Sequence, residues 1–85
     1  MNQPEVAGRI EQFVRTQFSI SPSDPRFGPG ADLFEGGYVD SVGLAELLAH
    51  IEQEFGVSVP DDDLLADEFA TIEGMAHTVC RLADR

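Results

Sequence analysis

Hydrophobic positions recur at steps of three and four in two long stretches of the chain, a spacing typical of amphipathic helices. The first stretch predicts a helix over residues 4–18, and the second predicts a helix over residues 41–55. Asp40 or Ser41 can cap the second helix, and Gly56 can end it. The apolar positions of the first are Val6, Ile10, Phe13, Val14 and Phe18. Those of the second are Val42, Ala45, Leu48, Ile51 and Phe55, with Leu44 and Leu47 widening the stripe.

Two further helices are predicted beyond the extended connection that ends at Pro60. The acidic run 61–63 suits the first turn of a short helix over residues 61–67, because the helix dipole favours negative charge there. Leu64, Leu65 and Phe69 are the side chains expected to pack this helix. Thr71 can cap a last helix over residues 71–83, whose apolar positions are Ile72, Met75, Ala76, Val79 and Leu82.

The stretch between the first two helices contains too many prolines and glycines for a helix or a central strand. We therefore predict a loop over residues 19–40, pinned to the core by its own apolar side chains. The candidates for this pinning are Ile20, Phe27, Leu33 and Phe34. The fold expected is all-α: one small four-helix bundle over residues 1–85, with three longer helices, one short helix and a long first loop.

The charge of the chain is strongly negative and unevenly placed. The net charge is −11, and residues 32–73 hold twelve acidic residues and no lysine or arginine. Such a charge repels phosphate, so nucleic acid and anionic membranes are disfavoured as partners and basic protein surfaces are favoured. With no signal-peptide pattern and no apolar run of about 18 residues, we expect a cytoplasmic protein. We also expect it to be a monomer.

Catalytic and metal-binding constellations are absent from the sequence pattern. His50 and His77 lie on different predicted helices with no third ligand at a suitable spacing. Cys80 falls between core positions of the last helix, where a buried or half-buried structural thiol is expected. The acidic run 61–63 lacks the spacing of a calcium loop, and the glycine pairs lack the lysine of a phosphate loop. We therefore predict no catalytic residue and no metal site.

One short motif stands out at the start of the second helix. Residues 37–42 are Gly-Tyr-Val-Asp-Ser-Val, and alone an Asp-Ser pair before an apolar run indicates a helix cap. Its surroundings resemble the acyl carrier and peptidyl carrier protein family, whose members bear 4′-phosphopantetheine on the serine of an Asp-Ser-(Leu/Met/Val) motif. The likeness extends to Leu33-Phe34 upstream and to segments 51–60 and 69–72 downstream, and covers about residues 4–82.

The resemblance implies a site and a set of partners. Ser41 would carry the arm, taken from coenzyme A, and Asp40 would be its motif neighbour. Val42, Ala45 and Ala49 would form an exposed apolar strip, bordered by residues that meet basic partner surfaces: Glu35, Glu46, Glu52 and Gln53. The implied partners are a phosphopantetheinyl transferase that uses Mg²⁺, a loading ligase or acyltransferase, and downstream synthase or tailoring enzymes with basic docking patches. The carrier itself would not be an enzyme.

Some residues depart from the pattern of fatty-acid carriers, which usually show leucine and then an acidic residue after the serine. Here Val42 and Gly43 follow, and glycine costs up to about 1 kcal/mol of helix stability relative to alanine. The motif and the long segment 60–72 look more like D-alanyl carriers and the stand-alone carriers of specialised polyketide or nonribosomal biosynthesis. We expect a specialised carrier of an acyl or aminoacyl group, with a housekeeping fatty-acid carrier or a D-alanyl carrier as alternatives. An acidic helical adaptor without a prosthetic group is the alternative from another class.

Overall fold

Four α-helices form the protein, and the computed structural model describes residues 2–84. They are α1 (Gln3–Gln17), α2 (Ser41–Phe55), α3 (Asp61–Leu64) and α4 (Ile72–Ala83). A 3₁₀ helix, Asp67–Ala70, lies between α3 and α4. Residues 2–84 contain no strand, so the predicted all-α fold is confirmed.

The core is formed by side chains of α1, α2, α4 and the long loop. Helix α1 packs mainly against α4, and α2 also contacts α4. Helices α1 and α4 bury the faces that their periodicity predicts. From α1 the buried side chains are Val6, Ile10 and Val14, and from α4 they are Ile72, Met75, Ala76 and Val79. Burial of each of the valine, isoleucine and methionine side chains among these stabilises the fold by roughly 1.5–3 kcal/mol.

Polar residues outside the helices fix where the helices begin and end. Asn2 and Thr71 accept hydrogen bonds from the N–H groups of the first turns of α1 and α4. Gly56 ends α2 in the left-handed conformation at φ 65°, as the sequence predicts. Helix α1 ends at Gln17, one residue before the predicted end, and the non-glycine residue Ser19 adopts a positive φ of 52° just beyond it.

The loop over residues 19–40 is irregular but well anchored. Phe27 and Leu33 are buried, as predicted, whereas Ile20 and Phe34 are half-buried. Two backbone hydrogen bonds tie the loop to the far end of the chain, since Leu33 N–H donates to the Ala70 carbonyl and Glu73 N–H donates to the Pro29 carbonyl, both at 2.9 Å. A long loop without secondary structure is thus held by burial and by cross-chain hydrogen bonds.

The prediction of a single short helix over residues 61–67 is wrong in its extent. Helix α3 stops at Leu64, and a separate 3₁₀ helix follows, in which Phe69 is buried. The packing role predicted for Leu65 is also wrong, because 82% of this side chain is exposed. One turn presents only one of two adjacent leucines to the core, and the half-buried one is Leu64.

The boundaries predicted for α2 are confirmed, but the face that it buries differs from the stripe predicted by periodicity. Val42 is 68% exposed and Ala45 is exposed, while the buried residues of the helix are Gly43, Leu47, Ile51 and Phe55. Apolar residues cover most of the circumference of α2, so the spacing does not single out one face. The exposure of Val42, Ala45 and Ala49 agrees with the apolar strip implied by the family resemblance.

Candidate functional site

The start of α2 is capped by Asp40, one of the two residues that the sequence offers for this role. Its side chain accepts a hydrogen bond of 2.7 Å from Gly43 N–H, and its carbonyl accepts one of 2.8 Å from Leu44 N–H. Asp40 has extended backbone angles, as an N-cap residue requires. Because Asp40 caps the helix, the neighbouring serine is not needed for that purpose.

Ser41 is the first residue of α2 and is exposed to solvent. Among residues 2–84, no group hydrogen-bonds its hydroxyl, and the N–H groups of Ser41 and Val42 likewise have no partner. Unpaired N–H groups and the positive end of the helix dipole favour an anion at this position. An exposed hydroxyl beside them fits a covalently attached phosphodiester that points away from the protein.

Gly43 lies directly beneath this site and is buried against an aromatic ring. A Cβ atom on Gly43 would lie 2.7 Å from Cε1 of Phe18 and 3.2 Å from the capping oxygen of Asp40. The absence of a side chain therefore allows the ring and the cap to approach the first turn of α2 together. Sequence reasoning identified only the helix-weakening effect of this glycine, because the contact joins residues 25 positions apart.

The apolar strip of Val42, Ala45 and Ala49 continues along α2 from the serine, and all three residues are exposed. Glu46 and Gln53 are exposed on the same helix, and Glu35 is exposed in the loop before it. An oxygen of Glu46 accepts a hydrogen bond of 2.5 Å from the Gln17 side-chain amide. Small apolar side chains flanked by carboxylates thus continue along α2 from Ser41.

Glu52 differs from the other carboxylates of the implied docking set. It is half-buried, and one of its oxygens accepts a hydrogen bond of 2.9 Å from Val59 N–H. This bond ties the end of α2 to the extended connection before α3. Glu52 therefore has a structural contact that the sequence did not predict, and only part of its carboxylate faces solvent.

Two residues of the preceding loop, Asp24 and Tyr38, have shifted pKa values. The Tyr38 hydroxyl donates a hydrogen bond of 2.9 Å to Asp24, which also accepts one of 2.8 Å from Arg26 N–H. The bonds from Arg26 and from Tyr38 lower the pKa of Asp24, whereas burial and the bond to Asp24 raise the pKa of Tyr38. Sequence reasoning did not single out this pair.

Residues 8–79, most of the chain, match the protein family described as "Phosphopantetheine attachment site". The chain belongs to the phosphopantetheine-binding carrier family. Its cofactor is a covalently attached 4′-phosphopantetheine, as the family resemblance implied.

The carrier is similar to proteins named as acyl carriers and as D-alanyl carriers. Over 73 residues, 86% of this chain and 85% of the relative, it is 33% identical to an acyl carrier protein of Thermosynechococcus vestitus. Over 54 residues, 64% of this chain and 69% of the relative, it is 37% identical to a D-alanyl carrier protein of Bacillus velezensis. An acyl carrier protein of Rubrobacter xylanophilus is 27% identical over 73 residues. The carrier is thus similar to both kinds of named relative.

The arginines of the carrier lie largely in ion pairs with its own carboxylates. Arg9 contacts Glu54 at 3.0 Å, and Arg15 contacts Glu11 at 2.9 Å. Arg81 on α4 pairs with Asp63 of α3. These three cations are therefore paired with acidic side chains of α1, α2 and α3.

His50 lies on α2, whereas His77 and Cys80 both lie on α4. His50 is half-buried on the flank of α2 and stacks on Phe13, with ring centroids 3.8 Å apart. His77 contacts Glu68 of the 3₁₀ helix, and Cys80 is half-buried in α4, as predicted. No group of three or more potential metal ligands occurs within residues 2–84. None of the helices over these residues has the length and hydrophobicity needed to cross a membrane.

Proposed function

We propose that this protein is an acyl or aminoacyl carrier whose 4′-phosphopantetheine is attached to Ser41. The observation that carries the proposal is the geometry of the start of α2, where Asp40 caps the helix and the exposed Ser41 hydroxyl has no hydrogen-bond partner within residues 2–84. The family match over residues 8–79 supports it, since this range includes the Asp-Ser motif.

Attachment would be a phosphoryl transfer from coenzyme A. The Ser41 oxygen attacks the phosphorus that bears the pantetheine group, and the pyrophosphate bridge of coenzyme A breaks. Adenosine 3′,5′-bisphosphate leaves, and the hydroxyl proton passes to a base. That base would belong to a separate Mg²⁺-dependent transferase, because no carboxylate or imidazole among residues 2–84 hydrogen-bonds Ser41. The terminal thiol of the attached group supplies the chemistry that holds an acyl group as a thioester.

The polypeptide itself would be non-catalytic and would act by presenting the arm to other enzymes. Its partners would be the transferase, a loading ligase or acyltransferase, and downstream synthase or tailoring enzymes. The docking face would comprise the apolar strip with Glu35, Glu46 and Gln53, and with the solvent-facing part of Glu52. Exposed ion pairs contribute only about 0–1 kcal/mol each, so they would steer encounter and leave the contacts brief. Charge reversal at Glu46 tests this face.

The pathway proposed is a specialised biosynthesis of the polyketide or nonribosomal type. The small exposed strip and the buried Gly43 support it, because a partner that fits this surface must accept short side chains beside the serine. A D-alanyl carrier or a housekeeping fatty-acid carrier is the second candidate, supported by the names of the relatives. Trapping the thioester formed in the native cell and identifying its acyl group by mass spectrometry separates these possibilities.

The attachment site can be tested directly by intact mass. Incubation of the unmodified protein with coenzyme A and a broad-range phosphopantetheinyl transferase should add the mass of one phosphopantetheine. The Ser41→Ala variant should gain nothing, whereas the matched control Ser58→Ala, which alters another exposed serine, should be modified like wild type. An unchanged mass of the wild-type protein would refute the carrier proposal and favour an adaptor without a prosthetic group.

A further inference from the structure

A side-chain hydrogen bond closes the loop before α2. Tyr38 donates its hydroxyl to Asp24 over 2.9 Å, linking residues that are 14 positions apart. The other oxygen of Asp24 accepts the Arg26 N–H at 2.8 Å, so the carboxylate is held on both sides. Both side chains are half-buried, so the bond is partly shielded from solvent. We call this pair the clasp.

Further contacts hold the tyrosine ring of the clasp in place. Phe27 packs against it edge to face, with ring centroids 5.3 Å apart. The ring also covers Gly36, where a Cβ atom would lie 2.8 Å from it. The Tyr38 N–H donates to the Leu33 carbonyl at 2.9 Å, and Gly37 supplies the positive φ of 78° that the preceding turn requires. The hydroxyl of Tyr38 therefore has one well-defined position.

Three peptide bonds connect the clasp with the candidate attachment serine. Val39 follows Tyr38, is buried, and donates its N–H to the Leu33 carbonyl at 3.0 Å. Asp40 is extended and caps α2, and Ser41 begins the helix. This short path contains no glycine between the aromatic ring and the serine, so the position of the ring constrains how the chain approaches the helix.

We propose that Tyr38 and Asp24 are positioning residues for the modification of Ser41, because their hydrogen bond holds residues 36–42 in the shape that a phosphopantetheinyl transferase binds. The inference rests on the proposed function and deepens it. A loop that is already ordered loses less conformational entropy on binding, so the clasp should favour recognition of the protein. It should leave the chemical step unchanged, since neither residue touches Ser41.

The kinetic test uses two conservative variants of the full chain in the same attachment assay. Tyr38→Phe keeps the ring and removes the hydroxyl, whereas Asp24→Asn keeps the size of the side chain and removes its charge. Each should raise the KM of the transferase for the protein by about ten-fold, the range expected for one lost bond to a charged group. The kcat should change by less than about two-fold, because transition-state contacts are retained. The double variant should be no worse than the more impaired single variant, since both substitutions act on the same bond.

A spectroscopic readout follows the clasp itself. Tyr38 is the single tyrosine of the chain, which has no tryptophan, so the ultraviolet absorbance of the phenolate reports this residue alone. Burial and the bond to Asp24 raise the pKa of Tyr38, and Arg26 acts in the opposite direction. In the Asp24→Asn variant the titration of Tyr38 should therefore move down toward the ordinary phenol range. This shift shows that the Asp24 carboxylate lies beside Tyr38 in solution before kinetics are interpreted.

A matched control removes a different hydrogen bond of the same loop. The Ser21 hydroxyl contacts that of Ser23 at 3.1 Å, and Ser21→Ala should leave both kinetic constants unchanged. All variants are assayed well below their unfolding temperatures, with helix content checked by circular dichroism. If the Tyr38 titration shifts while the KM does not, the positioning role is refuted. If wild type itself is not modified, the proposed function fails instead, so the two failures are distinct.

Discussion

The two segments that flank α2 are held in very different ways. The incoming segment, residues 33–43, is irregular before the helix begins, yet it buries Leu33 and Val39 and is bonded to the Ala70 carbonyl. The outgoing segment, residues 56–66, contains α3, which has no buried residue. Within this segment, all of which the structure describes, only Val59 is buried.

This difference shows that a segment with regular secondary structure is not always the one that is more firmly attached to the core. A one-turn helix makes few hydrogen bonds of its own and gains little stability without a buried face. An irregular loop can be the better fixed element when buried side chains and cross-chain hydrogen bonds hold it. The firmly attached segment is the one that leads to Ser41, whose presentation to a partner needs a defined geometry.

The largest expected effect comes from truncating one leucine in each segment. Leu33→Ala should lower the free energy of unfolding by about 3 kcal/mol, because it leaves a cavity at a fully buried position. Leu65→Ala should change it by less than about 0.5 kcal/mol, since that side chain is 82% exposed. Urea unfolding followed by circular dichroism measures both values. Equal losses would show that the outgoing segment packs as tightly as the incoming one.

A substitution at Gly74 should disturb the 3₁₀ helix, which follows the outgoing segment and whose Ala70 carbonyl bonds the incoming one. A Cβ atom on Gly74 would lie 1.6 Å from the Glu68 carbonyl oxygen, so Gly74→Ala must displace the 3₁₀ helix that holds Phe69 and Ala70. We expect a loss of about 2 kcal/mol, within the range for overpacked positions. Gly8→Ala is the control, because an added Cβ there meets nothing within 4 Å. It should stabilise α1 by about 0.5–1 kcal/mol. Thermal unfolding that ranks the two variants in the reverse order would contradict this packing.

The smallest expected effects concern two glutamates of α2. Glu52→Lys should lower the free energy of unfolding by about 1 kcal/mol and speed hydrogen exchange at the Val59 amide, which loses its acceptor.

Glu46→Lys should leave stability within about 0.5 kcal/mol of wild type, because its bond to Gln17 is exposed. Instead it should slow loading by the cognate partner several-fold at low salt and less at high salt. A loading rate unaffected by Glu46→Lys would place the docking face elsewhere.

Local signals made much of the fold predictable. The ends of α2 follow from Asp40 and Gly56, and the buried face of α4 follows from an unambiguous apolar period. The face of α2 was not predictable from spacing, since its apolar residues nearly encircle it and the contact of Gly43 with the distant Phe18 helps set its orientation. In α3, adjacent leucines within one turn carry no periodic signal that distinguishes Leu65 from its neighbour.

The candidate site was predictable in part. Ser41 and Asp40 were identified by a motif and its spacing, and the structure gives them separate roles as exposed hydroxyl and helix cap. The clasp has no comparable signal, because a tyrosine and an aspartate far apart in an irregular loop follow no repeat. The contact of Glu52 with Val59 was missed for a similar reason, since a glutamate on a helix surface has the same pattern whether or not it bonds the next connection.

The use of arginine and no lysine has a consequence for the stability of a bound thioester. All five basic residues of the chain are arginines, and Arg9, Arg15 and Arg81 are held against carboxylates. A guanidinium keeps its proton at any physiological pH and is a poor nucleophile, whereas a lysine amine can take an acyl group from a thioester. A chain without lysine side chains therefore offers an energy-rich acyl group no side-chain amine on its own surface to which it could be lost.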